Sequence, residues 1–586
     1  MLEKLKGRRG DDESGMALIM VIGICSVLTI LVVAAISVAI TSMNKARTDQ
    51  DWSSAMAAAY AGIEEYQSRL ANDTTYFQYG NSSATFSSAS SVTLPTGASA
   101  NPAFGLGTSG TWATVAGSSG AAEFRYEVDN SKYSSGGTLR LRSTGRAGGE
   151  TRTIVADLKQ QGFIDFLYFS DYEIQDPVNS GKSVSTCVKY AWAGRPDTGT
   201  SNACSEIAFG SYDLISGPAH SNDTLRICEA TFDGAVTTAN PSTGLRYAKV
   251  NSLGQSCSNP TFTVPGSPAY SPVIGMPATN SQLVKEVRSD IPAEVPRPGC
   301  LYTGPTEITF LSNGKMTVKS PWTKATNVAG DPATSGTTPS ACGVVGTGSG
   351  QLGSSGGATI TVPEYNVIYV QNVPSTTGNP NSWPTSGSGS SPSSSSCKGA
   401  DGSTTGNGIG YPIKNEEAPS TSSYSCRNGD VFVSGTLKGQ VTVASENYVY
   451  ITGDVKYSNS ESDLLGLVGN NAVWVWNPVK SSGSSLATGG SNRRIDAAIL
   501  SVGHTFQVQN YASGGNRGTL TVNGAIAQKY RGIVRSGTNG YAKNYQYDER
   551  FRYTAPPKFL SPVTTTYGVS VWIEVSPAFD SAGNYQ

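Results

Sequence analysis

The stretch "DDESGMALIMVIGICSVLTILVVAAISVAI", Asp11 to Ile40, decides how the rest of the chain is read. Acidic residues lead to Gly15, and from Met16 to Ile40 there is no charged side chain. As a helix rising 1.5 Å per residue, that run is roughly 37 Å long, enough to cross a hydrocarbon layer of about 30 Å and too long for the core of a secretion signal. Lys4, Lys6, Arg8 and Arg9 precede it, and only Lys45 and Arg47 follow closely. The positive-inside rule then leaves the N-terminus in the cytoplasm and the bulk of the chain outside.

No turn residue stops the pattern at Ile40. Trp52, Ala55, Ala59, Ile63, Tyr66 and Leu70 continue it at spacings of three and four, predicting one helix over 16–72. Its first half is apolar all round and its second half is amphipathic, so the two halves need different surroundings.

The short charged leader ending in Gly15, the apolar helix and "AAAYAGIEEYQSRL" resemble a type IV prepilin of the PilX-like minor-pilin kind. The resemblance implies a leader over 1–15, cleavage between Gly15 and Met16 by a prepilin peptidase, and packing of the freed helix among other pilins. Most major pilins of the family carry glutamate at the fifth mature position, and here that position is Met20. Loss of a carboxylate able to pair with a neighbour's terminal ammonium favours a tip or initiating subunit over a repeating one. A plain single-pass anchor is the alternative reading of the same apolar run.

The chain has 586 residues, more than one compact core holds, so several folding units are expected. Charged residues make up 15%, with 42 basic against 43 acidic, which excludes a global field drawing the protein to nucleic acid or anionic lipid. Abundant Gly, Ser, Thr and Tyr favour β structure with many turns. "EFRYEVD" (Glu123–Asp129), "TLRLRSTGR" (Thr138–Arg146) and "TRTIVADL" (Thr151–Leu158) alternate in character between turn residues, as an antiparallel meander does. With the helix they make an α+β pilin-like domain whose head occupies 73–162.

From 163 to 586 the pattern becomes short apolar triplets between Gly, Asn, Asp and Ser, as at Val431, Val441 and Val449. Strands every eight to ten residues suit the rungs of a β-solenoid, and a β-sandwich produces similar runs. "GPAHSND", "GAIAQKYRG" and "YDERFRY" in this part resemble the large extracellular regions of actinobacterial and related pilin-like proteins. The stretch 375–410, which includes "SGSGSSPSSSSC", has too little apolar surface to order itself and reads as a flexible insert.

Cys187, Cys204, Cys228, Cys257, Cys300, Cys342, Cys397 and Cys426 lie outside the apolar run, an even set that points to an oxidising compartment and up to four disulfides. Loop-closure entropy makes pairing of sequence neighbours the simplest arrangement.

Two histidines, His220 and His504, leave no three-histidine metal site, and neither sits by a nucleophile elbow. No acidic pair is singled out either. The chain therefore reads as non-enzymatic, without cofactor or metal; the alternative is a membrane-anchored solenoid enzyme acting on polysaccharide. One segment combines cations with rings: Lys529, Tyr530, Arg531, Arg535, Tyr541, Lys543, Arg550 and Arg552, within 528–553. It is either a grip for a glycan or single-stranded DNA, or a cap closing the β domain.

Expected partners are other pilins, the assembly machinery, the peptidase and the membrane before assembly. The expected location is the cytoplasmic or inner membrane as precursor, then the extracellular pilus, with adhesion, motility or DNA uptake as its service.

Overall fold

The computed structural model describes residues 12–586 apart from 98–99, 134–137, 161, 197–202, 212, 388, 394–396, 404, 419–423, 488–491 and 563–566. Of the expected leader, residues 1–11 lie outside the described residues, and Asp12 to Gly15 already belong to the helix. Helix α1 runs Asp12–Asn72, 61 residues without a proline, so nothing interrupts its hydrogen-bond ladder. Leu18 to Met43 present their apolar side chains fully outward, whereas Ala55, Ala58, Ala59, Ile63, Tyr66 and Leu70 are buried. The boundary falls where the apolar pattern narrows from all round to one stripe.

That stripe is buried by a five-stranded antiparallel sheet. Strands β1 (Ala113–Thr114), β2 (Ala122–Asp129), β3 (Thr138–Ala147) and β4 (Glu150–Gln160) follow in chain order. The fifth place is taken by the C-terminal strand Tyr567–Val575, which pairs with β4. The chain divides into two compact units, 1–160 with 565–586, and 161–564. The expected boundary is thus corrected: 565–586 belongs to the helical unit and not to a β domain ending at 586. The cause is the strand itself, whose Val569 packs on the core around Ile63 and Leu158 and whose Trp572 ring lies 4.9 Å from Tyr60.

In the second unit most strands pair in parallel with strands remote in sequence. One ladder joins Cys300–Thr303, Asn366–Gln371, Gln440–Ser445 and Leu464–Gly469 in turn. It continues through Arg493–Val508 and Asn516–Tyr530 to Tyr168–Tyr172, Ala219–Ser221, Val236–Thr238 and Ala269–Tyr270. A second ladder joins Thr306–Leu311, Val431–Leu437, Tyr448–Tyr457 and Ala472–Val475. Identical register down the first ladder aligns Cys300, Ile368, Val443, Leu467, Ile499, Ile526, Tyr168, Ala219 and Val236 in one buried apolar row. Strands buried on both sides need such apolar runs, which is why the triplets recur.

The neighbouring row, Leu301, Tyr369, Ala444, Val468, Leu500, Ala527 and Phe169, faces the other way and is buried too, under Ile274, Leu283, Val287 and Leu560. Order along this stack is not chain order. The chain enters at Tyr168, stacks outward to Tyr270, and resumes at Cys300 at the opposite end. From there it stacks back until Ile526 pairs with Tyr168.

The cysteines form Cys187–Cys204, Cys228–Cys257, Cys300–Cys342 and Cys397–Cys426. The insert 375–410 has no strand or helix among its described residues, yet it is pinned. Asn381 is buried and accepts from the Lys324 and Ala325 amides at 2.8 Å, and Trp383 donates to the Trp322 carbonyl at 2.8 Å. These contacts anchor the 381–383 part of the stretch that composition alone would leave free.

Candidate functional site

The first functional feature is α1 in its seat. Backbones approach so closely there that a Cβ on Gly145 of β3 would lie 2.2 Å from the Ala55 carbonyl and 2.3 Å from the Ala59 nitrogen. On the helix side a Cβ at Gly62 would meet Ser143 Oγ at 2.3 Å. Helix and sheet therefore touch backbone to backbone at Gly145 and backbone to side chain at Gly62. Below them Tyr66, Tyr76, Phe104 and Tyr126 pack edge on, and the Tyr126 hydroxyl donates to Glu65 at 2.8 Å. Burial, reinforced by that carboxylate, pushes the Tyr126 phenol well above its ordinary value. Near the start of the seat the Arg152 guanidinium lies 3.4 Å from the centre of the Trp52 ring and pairs with Glu574. The head thus grips 52–72 and leaves 17–50 bare. Gly15 and Met16 sit on the backbone of α1, one turn from its start.

The basic and aromatic segment 528–553 has a different role from a ligand grip. Arg531 is buried, donates to Glu173 at 2.9 Å and lies 3.6 Å from the Phe209 ring centre. Lys543 is paired with both oxygens of Asp213 at 3.0 Å. Burial opposes ionisation of Asp213, but Lys543 and Arg531 together hold its carboxyl below the usual range. Arg550 is paired with Asp548 and donates to the Asp463 carbonyl at 2.9 Å, and Arg552 is paired with Glu549. Tyr530 and Tyr541 are buried, and the Lys529 ammonium stands 5.5 Å from the Tyr530 ring centre. These residues form no continuous cationic and aromatic surface: alternation along the strand turns Tyr541, Tyr545 and Tyr547 into the core, Glu173 and Asp213 neutralise Arg531 and Lys543 from remote turns, and Asp548 and Glu549 neutralise Arg550 and Arg552 locally.

Of that segment Arg535 opens on a cleft of about 490 Å³, together with Lys543. Gln175, Glu206, Asp213, Ser252 and Ser536 also line it. Glu206 is held by Arg195 at 3.0 Å and by Arg226, and Arg195 also pairs with the buried Asp223. The lining offers hydrogen-bond donors and acceptors in balance and no aromatic platform. Sequence reasoning missed this cleft, since its walls come from five stretches far apart in the chain, around 175, 205–213, 252, 532–537 and 543.

Both histidines are engaged by neighbouring side chains, and neither has a serine or cysteine as hydrogen-bond partner among the described residues. His220 is buried next to Phe169, with ring centres 5.6 Å apart, and burial lowers its pKa to about 4. Its Nε2 lies 3.1 Å from Asn222 Oδ1, an acceptor, so the Nε2–H tautomer donates there, and Nδ1 meets the Thr237 hydroxyl at 2.9 Å. His504 Nδ1 pairs with the buried Asp176 at 2.6 Å. Among the described residues no group of three His, Cys, Asp or Glu side chains is placed to hold a metal ion.

No protein-family model and no curated protein matches this chain. Among solved structures it is similar to the competence-associated pilin ComZ from Thermus thermophilus, at 12% identity over 90% of this chain and 97% of that one. The TM-score of that pair is 0.21, too low to carry an argument about fold or function.

Proposed function

We propose that the chain is a minor, type IV pilin-like subunit that works in pilus assembly and displays its second unit for contact with surfaces. The observation that supports this reading is the division of one uninterrupted helix: residues 17–50 bare and apolar, residues 52–72 gripped by a sheet. A bare apolar rod is costly in water and needs lipid or other apolar helices around it. A peptidase cut after Gly15 converts the first situation into the second, releasing a mature chain that begins at Met16. Met20 in place of an acid favours the tip over the shaft.

We further infer that the two parallel ladders are flanks of a β-solenoid, a stiff body suited to being held away from the cell. Four disulfides fit an extracytoplasmic location. The chain is read as non-enzymatic, its service being adhesion or motility. DNA uptake through 528–553 is not part of the proposal, since Arg531, Lys543, Arg550 and Arg552 are each paired with an acid. N-terminal sequencing of the mature chain, with its detection in sheared filaments, is the test. A chain still beginning at Met1 and confined to the membrane fraction overturns the reading.

A further inference from the structure

We propose that the C-terminal strand Tyr567–Val575 is an open docking edge that receives an extended strand from a different subunit whose anchor helix points the same way. This rests on the assembly reading above. The strand is last in its sheet, bonded to β4 on one side and to no strand on the other among the described residues. An unpaired row of N–H and C=O groups is a template for another strand unless it is blunted.

The rest of the chain blunts its exposed edges. At the opposite border of the same sheet β1 has only two residues. The last strands of the second unit, Thr261–Phe262 and Ala269–Tyr270, are equally short and lie among Pro260, Pro265, Pro268 and Pro272. "YGVSVWIEV" has no proline and no lysine. A register shift between Val569 and Val571 interrupts its first half and leaves Val571 to Val575 regular. Trp572 and Ile573 are 43% and 54% exposed there, more than a finished sheet border of a soluble head requires.

Direction selects the partner. Asp51 packs by Gly148, Ala55 and Ala59 by Gly145, and Gly62 by Ser143, so α1 runs antiparallel to β3. Both β3 and the C-terminal strand run antiparallel to β4, so the open edge is antiparallel to α1 as well. Antiparallel pairing of the edge with its own copy would turn the second α1 end for end, which one bilayer or one filament does not allow. From the same sheet, a copy in the same orientation offers only its two-residue β1 among the described residues. The occupant is therefore a different chain. Across from Val571, Ile573 and Val575 it would place β-branched or aromatic residues, while Glu574, the one charged residue of the strand, is already paired with Arg152.

The test places the photocrosslinker p-benzoylphenylalanine at Ile573 in the full chain, in the cells that make it, with Thr114 on the blunted edge as control. The expected adduct at 573 is a second protein with its own apolar N-terminal helix, linked through an extended segment, at about tenfold the Thr114 yield. Val571→Lys should lower that yield about tenfold while β4 keeps its hydrogen-exchange protection. An adduct with a second copy, with a protein lacking an apolar helix, or no excess over Thr114 overturns the proposal. The N-terminus of the same sample separates the two readings. A chain starting at Met16 without the adduct sinks the docking edge alone; an uncleaved chain sinks the assembly reading.

Discussion

Replacing Gly145 by alanine tests whether the grip on α1 depends on backbone contact. The new Cβ would stand 2.2 Å from the Ala55 carbonyl oxygen, and neither that atom nor the Ala59 nitrogen can swing away as a side-chain tip could. Ordinary contact begins near 3.4 Å, so helix and strand must part by about 1.2 Å. A gap of 0.5–1 Å already forfeits a quarter to a half of each dispersion contact, and overfilling a packed site costs roughly 1–3 kcal/mol. Ala58, Ile63, Tyr66 and Leu70 lose contacts together, so the upper end, about 3 kcal/mol, is expected. Hydrogen exchange on the full chain in detergent reads this directly: amides of 53–72 and of β3 should exchange roughly a hundredfold faster. Strands of the 161–564 unit should be unchanged. Gly23→Ala, where no atom lies within 4 Å of the added Cβ, is the control and should leave the seat intact. Equal protection in Gly145→Ala would refute the close-approach argument.

Arg531→Ala leaves the carboxylate of the buried Glu173 without its ion-pair partner and should destabilise the second unit by about 3–5 kcal/mol in urea unfolding. An unchanged midpoint would return Arg531 to the surface. The buried Asp430 has its carboxyl raised by burial to about 7, above its unfolded value near 3.9. Its contribution is therefore full below pH 4 and is lost as pH rises through 7, by roughly 4 kcal/mol at most. Comparing the chain with Asp430→Asn from pH 4 to 8 should show this loss only in the parent. Cys300→Ser with Cys342→Ser opens a loop of 42 residues and should cost about 4 kcal/mol by chain entropy, seen as a lower urea midpoint.

The helix was legible because three-and-four spacing persists past the apolar run, and the bare and gripped halves follow from the width of the stripe. Strands β2 to β4 were legible from alternation and turns. The C-terminal strand was not, because "YGVSVWIEV" looks like any other short strand and its partner β4 lies some 400 residues earlier, with no local signal to join them. The same holds for Ile526 beside Tyr168. In the 528–553 segment, cations next to rings left a ligand grip and a cap both open; the tyrosines at 541, 545 and 547, spaced in even steps, carried the sign that one side of that strand is internal. What neutralises Arg531 and Lys543, Glu173 and Asp213, comes from strands and turns more than 300 residues away, beyond any window of pattern reading.

The meeting of Tyr168 with Ile526 bears on how the polypeptide matures. If the chain is exported as proposed, with its N-terminus held in the cytoplasm, the early strands emerge long before their stacking partner arrives, and loop closure over that distance is slow. Until then the border at Tyr168 is an adhesive surface, and on that reading the first helix stays in lipid while the roughly 360 residues between Tyr168 and Ile526 are threaded out. Truncation anywhere before residue 526 would strand that border permanently, so shortened products should be cleared by proteases rather than accumulate.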